Sequence, residues 1–142
     1  MKPGFYLVDT GALVALLDRN DPAHAQVREA WLPLSGRFHT TGAVVTEAMH
    51  FLRSVAGGAG ALAGLLAKGP IHIEDIFAPL RLEAAVALMA RYADAPMDFA
   101  DATLVLLAER LGTPHILTLD ERGFRTFRFA GRRHFHLVLQ DG

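Results

Sequence analysis

The chain contains no cysteine, which removes disulfides, zinc–thiolate sites and thiol nucleophiles and leaves carboxylates and histidines as the side chains able to hold a metal. Long apolar runs are missing too. Ala12 to Leu17 and Ala102 to Ala108 fall far short of the roughly 20 residues that span a bilayer. The apolar stretch after Met1 is cut by Asp9 before it reaches the length of a signal-peptide core, so a cytoplasmic protein with no membrane span is expected. Charge of one sign is not in excess: a net charge of -1 gives no global basic field to announce a nucleic acid. Neither Gly-x-x-x-x-Gly-Lys nor Gly-x-Gly-x-x-Gly occurs, which argues against nucleotide-driven chemistry. The seven histidines show no His-x-x-x-His pair, and read as ordinary surface or core residues. What is present is apolar. With 51% apolar and 20% charged residues, 142 residues suffice for one domain, 1–142, around a continuous core.

Phe5 to Val8 is a short apolar run between Pro3-Gly4 and Asp9-Thr10-Gly11, the pattern of a buried strand, and a helix is expected from Gly11 to Leu17. Asp21-Pro22 reads as the start of a helix that runs to Leu32 and stops at Pro33. Arg37 to Thr40 reads as a second strand. Thr41 then caps a third helix, whose apolar positions Val44, Val45, Ala48, Met49, Leu52 and Val55 recur at spacings of three and four before Gly57-Gly58. A weaker helix covers Gly60 to Ala67, a strand Ile71 to Ile73, and a helix Leu80 to Tyr92. Phe99 to Leu111 forms a helix entered through Asp98 and closed by Gly112, followed by a strand from His115 to Leu119. His134 to Leu139 alternates like a terminal strand. Strands alternating with helices predict an α/β fold, a three-layer α/β/α sandwich on a central parallel sheet. The site of such a sheet lies beyond the carboxyl ends of its strands, where the strand order reverses.

Two of these strands end in aspartate, Asp9 and Asp120. If they are neighbours, both carboxylates share one rim, where they must either hold a proton or neutralise a cation, and a hard oxygen-rich cluster suits Mg2+ or Mn2+. Glu47 stands in apolar company near the edge of its helix's apolar stripe; alone it reads more often as a solvated helix-face glutamate than as a site acid. Asp98 and Asp101, three apart, lie on one side of a helix start, where Asp98 fits a cap or a metal-site acid. Asp101 suits the positive end of the helix dipole, but the apolar run after it favours a functional acid.

Taken in order, Val8-Asp9-Thr10-Gly11-Ala12-Leu13, Thr46-Glu47-Ala48, Asp101-Ala102 and Ile116-Leu117-Thr118-Leu119-Asp120 with Gly123-Phe124 resemble the PIN-domain nucleases, in particular the stand-alone VapC-type toxins. The resemblance covers almost the whole chain. It implies a PIN-like fold, Mg2+ or Mn2+ dependence and RNA cleavage, with an acidic metal site of Asp9, Glu47, Asp101 and Asp120 and Asp98 as a further acid. For the toxin branch it also implies a small antitoxin. Thr10 and Thr118 match hydroxyl positions beside the site, open to bonding a carboxylate or a metal-bound water, or to being ordinary strand-end threonines. The chemistry is consistent: phosphodiester hydrolysis by a seated cation needs no side-chain nucleophile.

Three rivals remain. A phosphoaspartyl phosphatase wants a second aspartate two positions after the first, where Gly11 stands; a receiver-type domain wants a late lysine, and Lys68 is the last one; a PIN-like module could be kept for binding alone. The arginines from Arg122 to Arg133, with Arg132 and Arg133 at their end, are expected near the acidic site as phosphate contacts. High apolar content also predicts a covered surface, in a homodimer or under an antitoxin helix laid on Pro22–Leu32 and Gly60–Ala67.

Overall fold

The computed structural model describes residues 4–142. Its first strand, β1 (Phe5–Val8), leads through Asp9 into α1 (Thr10–Leu17) and α2 (His24–Trp31), then β2 (Arg37–Thr41), α3 (Gly42–Leu52), α4 (Gly58–Lys68) and β3 (Ile71–Glu74). There follow α5 (Pro79–Arg91), α6 (Phe99–Leu111), β4 (His115–Leu117) and α7 (Glu121–Thr126). The chain closes with β5 (Arg128–Phe129), β6 (Arg133–His134), β7 (His136–Leu137) and α8 (Val138–Asp141).

Five strands form one parallel sheet in the order β3-β2-β1-β4-β7, while β5 and β6 pair antiparallel in a separate hairpin. The order places β2 on one side of β1 and β4 on the other, so the strand order reverses between β1 and β4, the two strands that precede Asp9 and Asp120. Register alternation sends Tyr6 and Phe38 to one face, where Trp31 of α2 stacks on Phe38 at 4.4 Å and Phe38 on Tyr6 at 5.5 Å. Leu7, Thr41 and Glu74 point to the other, where α6 lies: Thr103 meets Thr41 hydroxyl to hydroxyl at 2.8 Å, and Arg110 reaches Glu74 at 3.8 Å. Helices on both faces of a parallel sheet make the α/β/α sandwich that the alternation predicted.

Helix α6 shows how the core holds the site. Every residue from Ala102 to Ala108 is buried, so the helix reads as an apolar run, and each buried leucine contributes about 2 kcal/mol. Its first turn is fixed by a capping box: Asp98 accepts the Asp101 amide at 2.8 Å, and Asp101 accepts the Asp98 amide at 3.2 Å. Among the described residues no helix is long and apolar enough to cross a membrane.

Several expected boundaries move. The stretch His134 to Leu139 is not one strand: His134 pairs in the β5–β6 hairpin, His136 and Leu137 join the main sheet, and Val138 begins α8. The break has a cause, since Asp141 accepts the Leu137 amide at 3.0 Å and is itself gripped by Arg125 at 2.6 Å, which winds the end of the chain into a turn. Strand β4 stops at Leu117 rather than Leu119 because Thr118 turns its hydroxyl to Asp9. Asp21 does not cap α2; it accepts the Ala23 amide at 2.8 Å in a turn, and the helix starts at His24.

Candidate active site

Asp9, Glu47, Asp98, Asp101 and Asp120 all line one cleft of about 770 Å³ at the carboxyl end of the sheet. Asp9 is fixed by the β1–α1 junction. Its amide donates to Leu117 across the β1–β4 boundary at 2.9 Å, which locks it beside the partner strand. One carboxylate oxygen accepts the Thr10 amide at 2.8 Å and the other accepts the Thr118 hydroxyl at 2.7 Å. The same Thr118 oxygen accepts the Asp120 amide at 3.0 Å, so one buried hydroxyl spaces the two strand-end acids. Asp120 is exposed and caps α7 by accepting the Gly123 amide at 3.0 Å. A Cβ on Gly123 would collide with Asp120 Oδ2 and lie 2.9 Å from its Cγ, so the carboxylate occupies space that only glycine leaves free.

Glu47 projects from α3, whose start is tied to α6 through the Thr41–Thr103 bond. The two helices that carry Glu47 and Asp101 are thereby held together behind the cleft. Asp98 caps α6 through one carboxylate oxygen and its exposed side chain also lines the cleft, so its two readings are compatible.

Electrostatically the cluster is under tension. Burial lifts the Asp9 carboxyl to about 6, resisted by the bonds from Thr118 and Thr10 and aided by the charges of Asp120 and Asp98. Burial and the neighbouring charges of Asp9 and Asp98 push Asp101 up to about 8. Among the described residues none of these five acids has an ion-pair partner. Asp21 and Asp94 add two more acids to the lining, against Arg122 as its one cation among the described residues. The sequence marks neither as a site acid: Asp94 stands in a stretch without helical or strand periodicity, and Asp21 fits the pattern of a helix cap.

The donor set suits a hard divalent cation: oxygen ligands, uncompensated charge, and the buried Thr10 hydroxyl, which has no hydrogen-bond partner among the described residues. Among the described residues no three Asp, Glu or His side chains already stand close enough together to hold an ion. Asp98 and Asp120 are exposed and Glu47 half-buried, so these carboxylates have room to turn onto one.

The arginines from Arg122 to Arg133 do not form a strip along the cleft. Arg122 lines it; Arg125 is bound to Asp141 and Glu121, and Arg128 donates to the carbonyls of Arg125, Thr126 and Phe127. Arg132 and Arg133 stand exposed on the β5–β6 hairpin, Arg133 over the Phe129 ring at 4.7 Å, and neither is among the cleft's lining residues. The antiparallel hairpin carries the chain away from the rim after α7. The exposed large apolar residues also lie elsewhere than expected: among the described residues only Leu32, at the end of α2, belongs to the two helices named for docking, whereas Phe51, Ile73, Phe77, Leu80 and Val86 fall in the stretch from the end of α3 to α5.

A family model described as PIN domain matches residues 6–130. Ribonuclease VapC26 of Mycobacterium tuberculosis is 33% identical over 134 residues, which cover 93% of this chain and 98% of that protein. Among solved structures, Mycobacterium tuberculosis VapC20, titled a Sarcin-Ricin loop cleaving toxin, superposes with a TM-score of 0.75 at 23% identity, covering 83% of this chain and 92% of its own. That last likeness concerns the fold.

Proposed function

Because this chain belongs to the PIN-domain family, we propose that it is a metal-dependent endoribonuclease and the toxin of a toxin–antitoxin pair, acting as one catalytic domain in the cytoplasm. The observation that carries this reading is the meeting of Asp9, Glu47, Asp101 and Asp120 in one cleft, although more than a hundred positions separate the first from the last. These four, with Asp98, would hold Mg2+ or Mn2+. When bound, the cation gives a non-bridging phosphate oxygen a seat, acidifies the attacking water and stabilises the leaving oxygen.

The chain's own residues do the rest. Asp9 is held to one orientation by the Thr10 amide and the Thr118 hydroxyl, so it enters the site without a rotamer search. The Thr10 hydroxyl, buried and without a partner among the described residues, would bond a site carboxylate or a metal-bound water. Arg122 offsets the repulsion that seven acids exert on an approaching phosphate. Arg132 and Arg133, out on the hairpin, contact phosphates further along the strand. The antitoxin and a second protomer cover the apolar surface outside the cleft.

Incubation with RNA and with p-nitrophenyl phosphate, each with Mn2+ or with chelator, separates the readings. RNA cleavage that needs the ion, with the monoester left intact, is the expected result; monoester hydrolysis alone would return the phosphatase. Gly123→Ala should displace the Asp120 carboxylate and weaken Mn2+ binding about tenfold by calorimetry. In an Asp120→Ala background the same substitution should change nothing, because the group it collides with is gone. An equal loss in both backgrounds would assign Gly123 to the fold of α7 alone.

A further inference from the structure

Thr118, Leu119 and Asp120 join the end of β4 to the start of α7, past the last residue of β4 that pairs with β1. The Thr118 hydroxyl serves both strand-end acids, donating to Asp9 at 2.7 Å and accepting the Asp120 amide at 3.0 Å, so its direction sets how the two carboxylates stand to each other. The carbonyl of the same residue accepts the side-chain amide of Gln140 at 3.3 Å. Gln140 belongs to α8, which packs on β4, β7 and α2. Its orientation is forced, because turning the amide over would set its oxygen against the Thr118 oxygen. That oxygen is instead buried without a hydrogen-bond partner among the described residues. An apolar side chain of the same length would fill the space without an unpaired oxygen, so packing alone does not explain a glutamine here.

Helix α8 is held in turn from α7. Arg125 grips the two Asp141 oxygens at 2.6 Å and 3.0 Å, and Asp141 closes the turn on the Leu137 amide at 3.0 Å. Arg125 also reaches Glu121, the residue after Asp120, at 3.3 Å. Chain and bonds together make a closed ring, which runs from Thr118 through Asp120 and α7 to Arg125, then by Asp141 and Gln140 back to Thr118. We propose that Gln140 is a positioning residue of the acidic site: by holding the Thr118 carbonyl it fixes the hydroxyl that aligns Asp9 with Asp120, and the Arg125–Asp141 pair keeps it in place. The inference rests on the reading of the cleft as a cation-dependent nuclease site, and adds to it a residue that touches neither cation nor RNA. Side chains that only orient metal ligands change metal affinity by roughly 10- to 100-fold when they are removed. The ring encloses the Asp120 turn, the part of the rim that no sheet partner holds.

The test measures Mn2+ binding to the full chain by calorimetry, with RNA cleavage alongside. Gln140→Met keeps the length of the side chain and removes the donor. It should weaken Mn2+ binding roughly 10-fold, and lower kcat while leaving KM for RNA unchanged. In a Thr118→Val background, which lacks the hydroxyl, it should change nothing further, because the group it acts through is gone. Asp141→Asn keeps an acceptor for the Leu137 amide but loses the charge facing Arg125, and should give a smaller loss of the same kind. In chelator Gln140→Met should melt no lower than the wild type, since a buried unpaired oxygen disappears. Unchanged Mn2+ affinity in Gln140→Met, an equal loss in both backgrounds, or a loss matched by a fall in melting temperature would overturn the proposal and leave Gln140 a packing residue. A wild type that binds Mn2+ and cleaves RNA, with Gln140→Met its equal, sinks only this inference. A wild type whose Mn2+ binding depends on Gln140 but which leaves RNA intact supports it and sinks the ribonuclease reading instead.

Discussion

Asp9→Asn should lower Mg2+- or Mn2+-dependent RNA cleavage by at least about a thousandfold, since it removes the most firmly placed carboxylate from a site whose cation supplies several kcal/mol of transition-state stabilisation. The fold should not suffer. Asparagine has the same shape, its amide oxygen can accept the Thr10 amide, and its NH2 can donate to Thr118, whose oxygen has a second lone pair for the Asp120 amide. What disappears is a charge whose burial lifts the carboxyl from 3.8 to about 6, a cost on the order of 3 kcal/mol at neutral pH. The metal-free variant should therefore melt about 5 °C or more above the wild type in chelator, measured by circular dichroism. A variant that is less active and also less stable would mean that Asp9 holds the β1–β4 junction rather than a cation.

That pairing of lost function with gained stability marks the part of the site that could be read from the sequence. Asp9 and Asp120 follow strands buried at all but their first residue, which appear as apolar runs, and a parallel sheet has a site where its order reverses. Asp101 opens a helix buried along most of its length, and burial next to an acid leaves a visible signature in the chain. Glu47 carried less information, because an acid at the edge of a helical stripe looks the same whether it faces solvent or a cleft. The bond between Thr41 and Thr103, 62 positions apart, turns α3 toward the rim, and no local pattern encodes it.

The last quarter was legible only as far as Asp120. Two-residue strands have no period to detect, and the β5–β6 turn uses Ala130 at φ 49° beside Gly131, without the Asn-Gly or Asp-Gly pair that announces a hairpin. Helix α7 is six residues long and depends on the Asp120 cap. The arginines there looked like one strip because they are close in sequence, but a helix, a hairpin and the ion pair with Asp141 send them in different directions. Phe51, which also lines the cleft, stands four residues after Glu47, but aromatic residues on helices usually face the core, so the sequence does not mark it.

The second large effect is on the pH dependence of stability without metal. Asp9 at about 6 and Asp101 at about 8 both hold protons in the folded chain that a carboxyl near 3.8 has lost in the unfolded one. The folded state therefore binds more protons between about pH 4 and pH 8, and stability must fall as pH rises through that window and level off above it. His39 and His115 act in the opposite sense: burial lowers both, so their contribution rises with pH, but only below 6.5. Asp141, held at about 2 by Arg125, has titrated before the window opens. From about pH 7 to pH 8 the Asp101 carboxyl is still losing its proton in the folded chain, and the melting temperature in chelator should drop across that range. Saturating Mn2+ should raise the melting temperature most at the alkaline end and flatten the slope, because a cation favours the ionised carboxylates that otherwise repel. Asp101→Asn should remove most of the slope in chelator by itself. A melting temperature that is flat in chelator, or one that Mn2+ raises equally at every pH, would mean that the cleft acids are solvated and independent, and the cluster would lose its claim to be a metal site.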